Sequence, residues 1–92
     1  MDIRFYIDPR TGLPHILNHQ VEEAEVLELL EYPGEERPGP DGSRIAVGQT
    51  AAGRYLRVVF VEEPGYLFVI TAYELAGKSL AAYRRRRKKK LQ

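Results

Sequence analysis

The chain has no cysteine among its 92 residues. That absence removes disulfides, thiol catalysis and thiolate metal sites together, and it suits a reducing compartment. Nor is there a run of about 18 apolar residues, the length a membrane-spanning helix needs. The opening MDIRFYID has neither the basic nor the apolar stretch of a secretory leader, so a soluble, cytoplasmic protein with no membrane partner is expected. A phosphate-cradling glycine loop is missing too: GQTAAGR lacks the Lys-Ser/Thr that follows the second glycine of a P-loop. So is the G-x-S-x-G elbow of serine hydrolases. HILNH places His15 and His19 four positions apart, but Ile16 stands where the zinc-protease pattern requires Glu, and no third ligand is evident. Neither a metal nor a cofactor is therefore expected.

What the chain does have is charge, unevenly placed. Its 14 Lys and Arg nearly cancel 13 Asp and Glu, for a net +1, yet 7 of the cations are the consecutive Arg84 to Lys90. The other 7 face all 13 acidic residues, so the chain before the run carries −6. Such asymmetry points to a tail that meets nucleic acid or an acidic partner. A run this dense is sufficient for phosphate binding through counterion release. A solvated tail that only aids solubility, or one that docks an acidic protein segment, has the same composition.

Length and a 43% apolar content specify one domain with one core, over residues 1–83, with 84–92 as a basic extension. Ile3 to Ile7 read as a short strand stopped by Asp8-Pro9. Pro14 suits the first position of a short helix running to His19. VEEAEVLELLEYPG is the clearest helix. Val21, Ala24, Leu27 and Leu30 share a stripe widened by Val26 and Leu29, the glutamates line the other side, and Pro33-Gly34 ends it. GEERPGPDGS reads as a loop. Arg44–Thr50, Arg54–Glu63 and Tyr66–Leu75 follow as strands with short links, hence an antiparallel meander. A final helix from about Ala76 presents Ala76, Leu80 and Tyr83 to the sheet, and its charged end should stay in solvent or on a partner. The expected fold is α+β: an N-terminal strand joined to the sheet, one or two helices, a three-stranded meander, and a C-terminal helix across it.

A set of cations and phenols falls near that sheet: Arg44, Arg54, Arg57, Tyr73, Lys78 and Tyr83. Metal-free RNA cleavage needs a base for the 2′-OH, an acid for the leaving 5′-oxygen and fixed positive charge for the phosphorane oxygens. Arg, Lys, Tyr and His supply all three. The plainer reading pairs Arg54 and Arg57 with Glu62, Glu63 or Glu74 as ordinary strand surface.

The order of the pieces also resembles a known family. A strand ending in Asp-Pro, then HILNHQVEEAEVLELLEYP, RIAVGQTAAGRYLRVVFVEE and YLFVITAYELAGKSLAAYRRR, looks like the BrnT-type toxins and their uncharacterised relatives. The likeness runs over about residues 3 to 87. It implies a RelE-like fold, ribosome-independent RNA cleavage in a toxin–antitoxin pair, and a small DNA-binding antitoxin, of ribbon-helix-helix type, as partner. It places activity at His19, Arg54, Arg57 and Tyr83. With the residues themselves, the leading reading gives phosphate to Arg54 and Arg57, proton transfer to Tyr73 or His19, and the guiding of RNA to Lys78, Tyr83, Arg84, Arg85, Arg86, Arg87 and Lys88. One departure is Tyr73 in ITAYE, where the toxin pattern has a basic residue. Pro14 and Gly12 also break what is often a longer first helix. The alternative is a non-catalytic module on the same fold that binds nucleic acid or protein.

Overall fold

The structure, a computed structural model, describes residues 2–90. Its elements are β1 (Asp2–Phe5), β2 (Ile7–Asp8), β3 (Leu13–Pro14), a 3-10 turn at His15–His19, α1 (Glu23–Glu31) and β4 (Glu35–Pro38). A second 3-10 turn at Pro40–Gly42, β5 (Arg44–Gln49), β6 (Tyr55–Glu63), β7 (Tyr66–Glu74) and α2 (Gly77–Lys90) follow. Five strands make one sheet in the order β1-β7-β6-β5-β4, with β1 parallel to β7 and every other pair antiparallel. The α+β fold and the incorporation of the N-terminal strand are as the sequence implies.

Strand β6 sets the two faces by simple alternation. Leu56, Val58 and Phe60 are buried and pack with Ala46, Val69 and Ala72 against Ile16, Val21, Val26 and Leu29. Tyr55, and with it the alternate positions Arg57 and Val59, belongs to the opposite face. There Val47 and Leu75 are buried with Tyr83, and Ile45 and Leu80 pack around them. One face thus carries α1 and the His15–His19 turn, and the other carries α2.

Three expectations change. The Gly/Pro-rich segment read as loop contains β4, which pairs with β5 from Glu35↔Val47 to Pro38↔Arg44. Proline is compatible there because β4 is the sheet's outer strand, where a missing N–H breaks no ladder. On α1 the buried stripe is Val26 and Leu29, with Leu30 partly covered, whereas Ala24 is exposed and Leu27 is 44% exposed. The helix begins at Glu23, so Val21 reaches the core from the entering chain rather than from the helical stripe. Finally, Gly77 at φ +57 sets the start of α2 beyond Ala76, which is exposed, and Leu75 takes the buried place assigned to it.

Nor does the cationic run stay wholly in solvent. Arg86 forks onto Glu35 at 2.9 and 2.7 Å, and Arg87 donates to the Gly34 carbonyl at 2.9 Å. The guanidinium of Arg86 holds the Glu35 carboxyl below its ordinary range. Two positions of the run therefore dock α2 on the β4 edge, because i and i+3 on a helix share a face with Tyr83.

Candidate functional site

β1 covers only the first half of β7, pairing as far as Phe5↔Val69. The His15–His19 turn packs beside the remainder, held by Tyr6 N–H to Val69 C=O and His15 N–H to Tyr6 C=O, both 2.9 Å. Two histidines therefore reach the rim of the face that carries Tyr73 and Arg57, which are register partners on β7 and β6.

The result is a continuous line of polar side chains. Arg57 Nη1 donates to the Tyr73 hydroxyl at 3.3 Å. The Tyr73 ring meets His19 edge-on at 6.1 Å, and His19 meets His15 at 5.2 Å. Behind His15 lies Asp8, its Oδ2 at 3.8 Å from His15 Nδ1, with Asn18 Nδ2 donating to that same oxygen at 2.8 Å. The Asp8 side chain is only 4% exposed. Its carboxyl is held far below the usual range, foremost by the Arg10 side chain, then by the Arg10 N–H and Asn18. This end of the line is thus a fixed negative charge, and the Arg57 end is a fixed positive one.

Arg57 is unusual in what it lacks. Among the described residues its guanidinium makes no ion pair, and its buried Nε has no hydrogen-bond partner. An unmet donor of that kind costs about 1–3 kcal/mol, so it calls for an explanation. Arg54 is the opposite case. Its Nη1 lies 2.8 and 2.9 Å from the two Glu25 oxygens and 3.0 Å from the Gln20 carbonyl, with Nε 3.5 Å from Glu74. Glu25 also accepts the Glu22 N–H at 3.0 Å, so Arg54 ties the start of α1 to the start of β6. Unlike Arg57, it is already paired with two carboxylates, Glu25 and Glu74.

The other expected positions fall elsewhere. Lys78 is exposed in the first turn of α2. Tyr83 is 3% exposed and packs in the second core. Arg84, Arg85 and Lys88 are exposed, Arg86 is paired to Glu35, and Arg87 is half-buried. The structure therefore brings together His19, Tyr73 and Arg57, holds Arg54 beside them on Gln20, Glu25 and Glu74, and sets Tyr83 apart in the second core. It adds His15, which the sequence offers as a metal ligand or as a general acid or base, Asp8, read there only as a strand end, and Asn18, given no role there. The spacing of HILNH was the available signal for His15 and Asn18. Nothing local marks Asp8, whose pairing depends on the small β2–β3 hairpin. Among the described residues no cluster of three His, Asp or Glu is arranged to hold a metal ion, and no helix is long and apolar enough to cross a membrane.

Residues 15–74 match the family model of a domain of unknown function, DUF4258. The chain belongs to that family. The matched segment of this DUF4258 protein spans well over half the chain and includes His15, His19, Arg57 and Tyr73. Asp8, β1 and α2 with its cationic run lie outside it. No curated protein and no solved structure matches the chain.

Proposed function

We propose that this DUF4258 domain is a metal-independent endoribonuclease of the toxin kind. The observation that carries the reading is the Arg57–Tyr73–His19 line, with Asp8 and His15 behind it. Each part of the reaction has a group suited to it. His19, exposed at the rim, takes the 2′-OH proton of a bound strand. Tyr73, 36% exposed, gives its proton to the leaving 5′-oxygen. Arg57, with no carboxylate to neutralise it, stabilises the charge that builds on the phosphorane oxygens. Tyr73 thus replaces the basic residue of the toxin pattern in position, while Arg57 beneath it supplies the positive charge. The Asp8–Asn18–His15 group orients the turn that presents His19.

A ribonuclease of this kind needs a silencing partner, for which a small ribbon-helix-helix antitoxin is proposed. Tyr6, Ile7, Leu13 and Leu17, all at least 40% exposed, surround the histidine turn and offer such a protein an apolar footing. The experiment that tests the reaction is end-group analysis of single-stranded RNA incubated with the protein in EDTA. Fragments ending in 2′,3′-cyclic phosphate are expected, slowed about 10²–10⁴-fold in His19→Ala and in Tyr73→Phe. RNA that stays intact would leave a binding module on this fold.

A further inference from the structure

The second face of the sheet carries a cleft of about 660 Å³ between α2 and the chain leaving α1. One wall is the α2 face bearing Arg84, Arg87 and Lys88, at i, i+3 and i+4. The other wall is Tyr32–Gly34, and Gln49 and Tyr55 close the floor. Its size is that of a site for a ligand as large as a nucleotide. No acidic side chain lines it. Arg84 lies over the Tyr55 ring at 5.4 Å, and Arg87 bonds only a carbonyl. Glu35, next in sequence to the lining Gly34, is taken by Arg86 and Arg37. Three cations thus face the opening without a counter-charge from the cleft itself.

The aromatic content is the second observation, independent of the charge. Tyr32 is 81% exposed, a large ring held in water at the cleft mouth with nothing of the fold to cover it. Tyr55 and Tyr83 meet edge-on at 6.1 Å below, and burial pushes the Tyr83 phenol up, so it stays neutral. Gln49 spends one amide hydrogen on the Gly53 carbonyl at 3.3 Å, which leaves its oxygen for a ligand. Stacking rings beside unpaired cations is the pairing of features that single-stranded nucleic acid requires, since every unstacked base offers a π-face and every link a phosphate. A duplex hides its bases from such rings.

We infer that this cleft is a single-stranded RNA subsite, in which a base stacks on Tyr32 and the adjoining phosphates lie on Arg84 and Lys88. The site shares no residue with the proposed cleavage chemistry. Tyr55 and Arg57 sit two positions apart on the same face of β6, about 7 Å along the strand, so one strand can occupy both places. The subsite would hold the RNA while the histidine rim acts on it.

The test uses the full chain and a labelled 2′-O-methyl oligonucleotide of about eight nucleotides. That RNA lacks the attacking hydroxyl, so binding is read whether or not the protein cleaves. Tyr32→Ala should weaken binding about tenfold, and Tyr32→Phe should restore it, as stacking requires. Arg84→Glu should weaken binding by a similar factor and flatten the salt dependence by about one phosphate contact. Both positions are exposed, so circular dichroism should show an unchanged fold in all three variants. Protein that fails to cut RNA but shows this pattern supports the subsite and removes only the cleavage reading. Affinity indifferent to Tyr32, or matched by base-free polyphosphate, would overturn it and leave a patch for polyanions.

Discussion

A methyl group added at Gly34 falls on the Tyr83 hydroxyl and lies 3.2 Å from the Val47 carbonyl. Both neighbours belong to packed structure, so neither can yield freely. Gly34→Ala should therefore cost about 1–3 kcal/mol, read by urea denaturation, and Tyr83→Phe in the same chain should recover part of it. Asp8 gives a pH prediction. Its carboxyl is depressed in the fold, foremost by Arg10, so the stability it contributes is complete above its unfolded value of about 3.9. That contribution is lost as pH falls toward the folded value. Glu35, depressed foremost by Arg86, has the same sign. Stability should be flat from neutral to about pH 5 and fall below about pH 4, and Asp8→Asn should reduce that slope. A profile unchanged in Asp8→Asn would contradict the assignment. At this scale the sequence was only half legible. Arg54 and Arg57 look alike in GRYLRVVF, and what separates them is Glu25, 29 positions from Arg54, which the fold brings to one arginine and not the other.

Elements were easier to read than their surfaces. Alternation in YLRVVFVEE and the Pro64-Gly65 turn, with Gly65 at φ +84, mark the β6–β7 hairpin directly. The heptad-like spacing of α1 marks a helix but not which residues it buries. Leu27 and Leu30 compete with Val26 and Leu29, and the winner is decided by the angle at which α1 meets β5. Leu29, 2% exposed and beside Gly48, is the anchor, so Leu29→Ala should lose about 2–5 kcal/mol. Leu27→Ala, at an exposed position, should lose far less. Both are read in the same denaturation series, and equal losses would mean the helix is rotated. β4 was hidden because turn residues dominate its neighbourhood. Its backbone is held by β5 rather than by its own propensity.

For the whole molecule, the split of charge is the organising fact. A body at −6 cannot attract a polyanion by its net field, and the consecutive cations at the end of α2, set around the helix, return the balance. Arg86 and Arg87 spend part of that charge docking the helix, which fixes Arg84 and Lys88 beside the cleft instead of leaving them on a loose tail. The gathering of cations at the end of the chain was visible in composition. The docking was not, because it depends on Glu35 and on the carbonyl of Gly34 in the unforeseen β4 edge. The proposed cleavage depends on Arg57, which makes no ion pair among the described residues, being open to a phosphate. Its most direct test is the rate of RNA cleavage in EDTA by the native chain and by Arg57→Ala, with both shown to be folded by circular dichroism. Cleavage by the native chain, lost about 10²–10³-fold in the variant, is the predicted result. Equal cleavage by the two proteins, or none by the native chain, would contradict it.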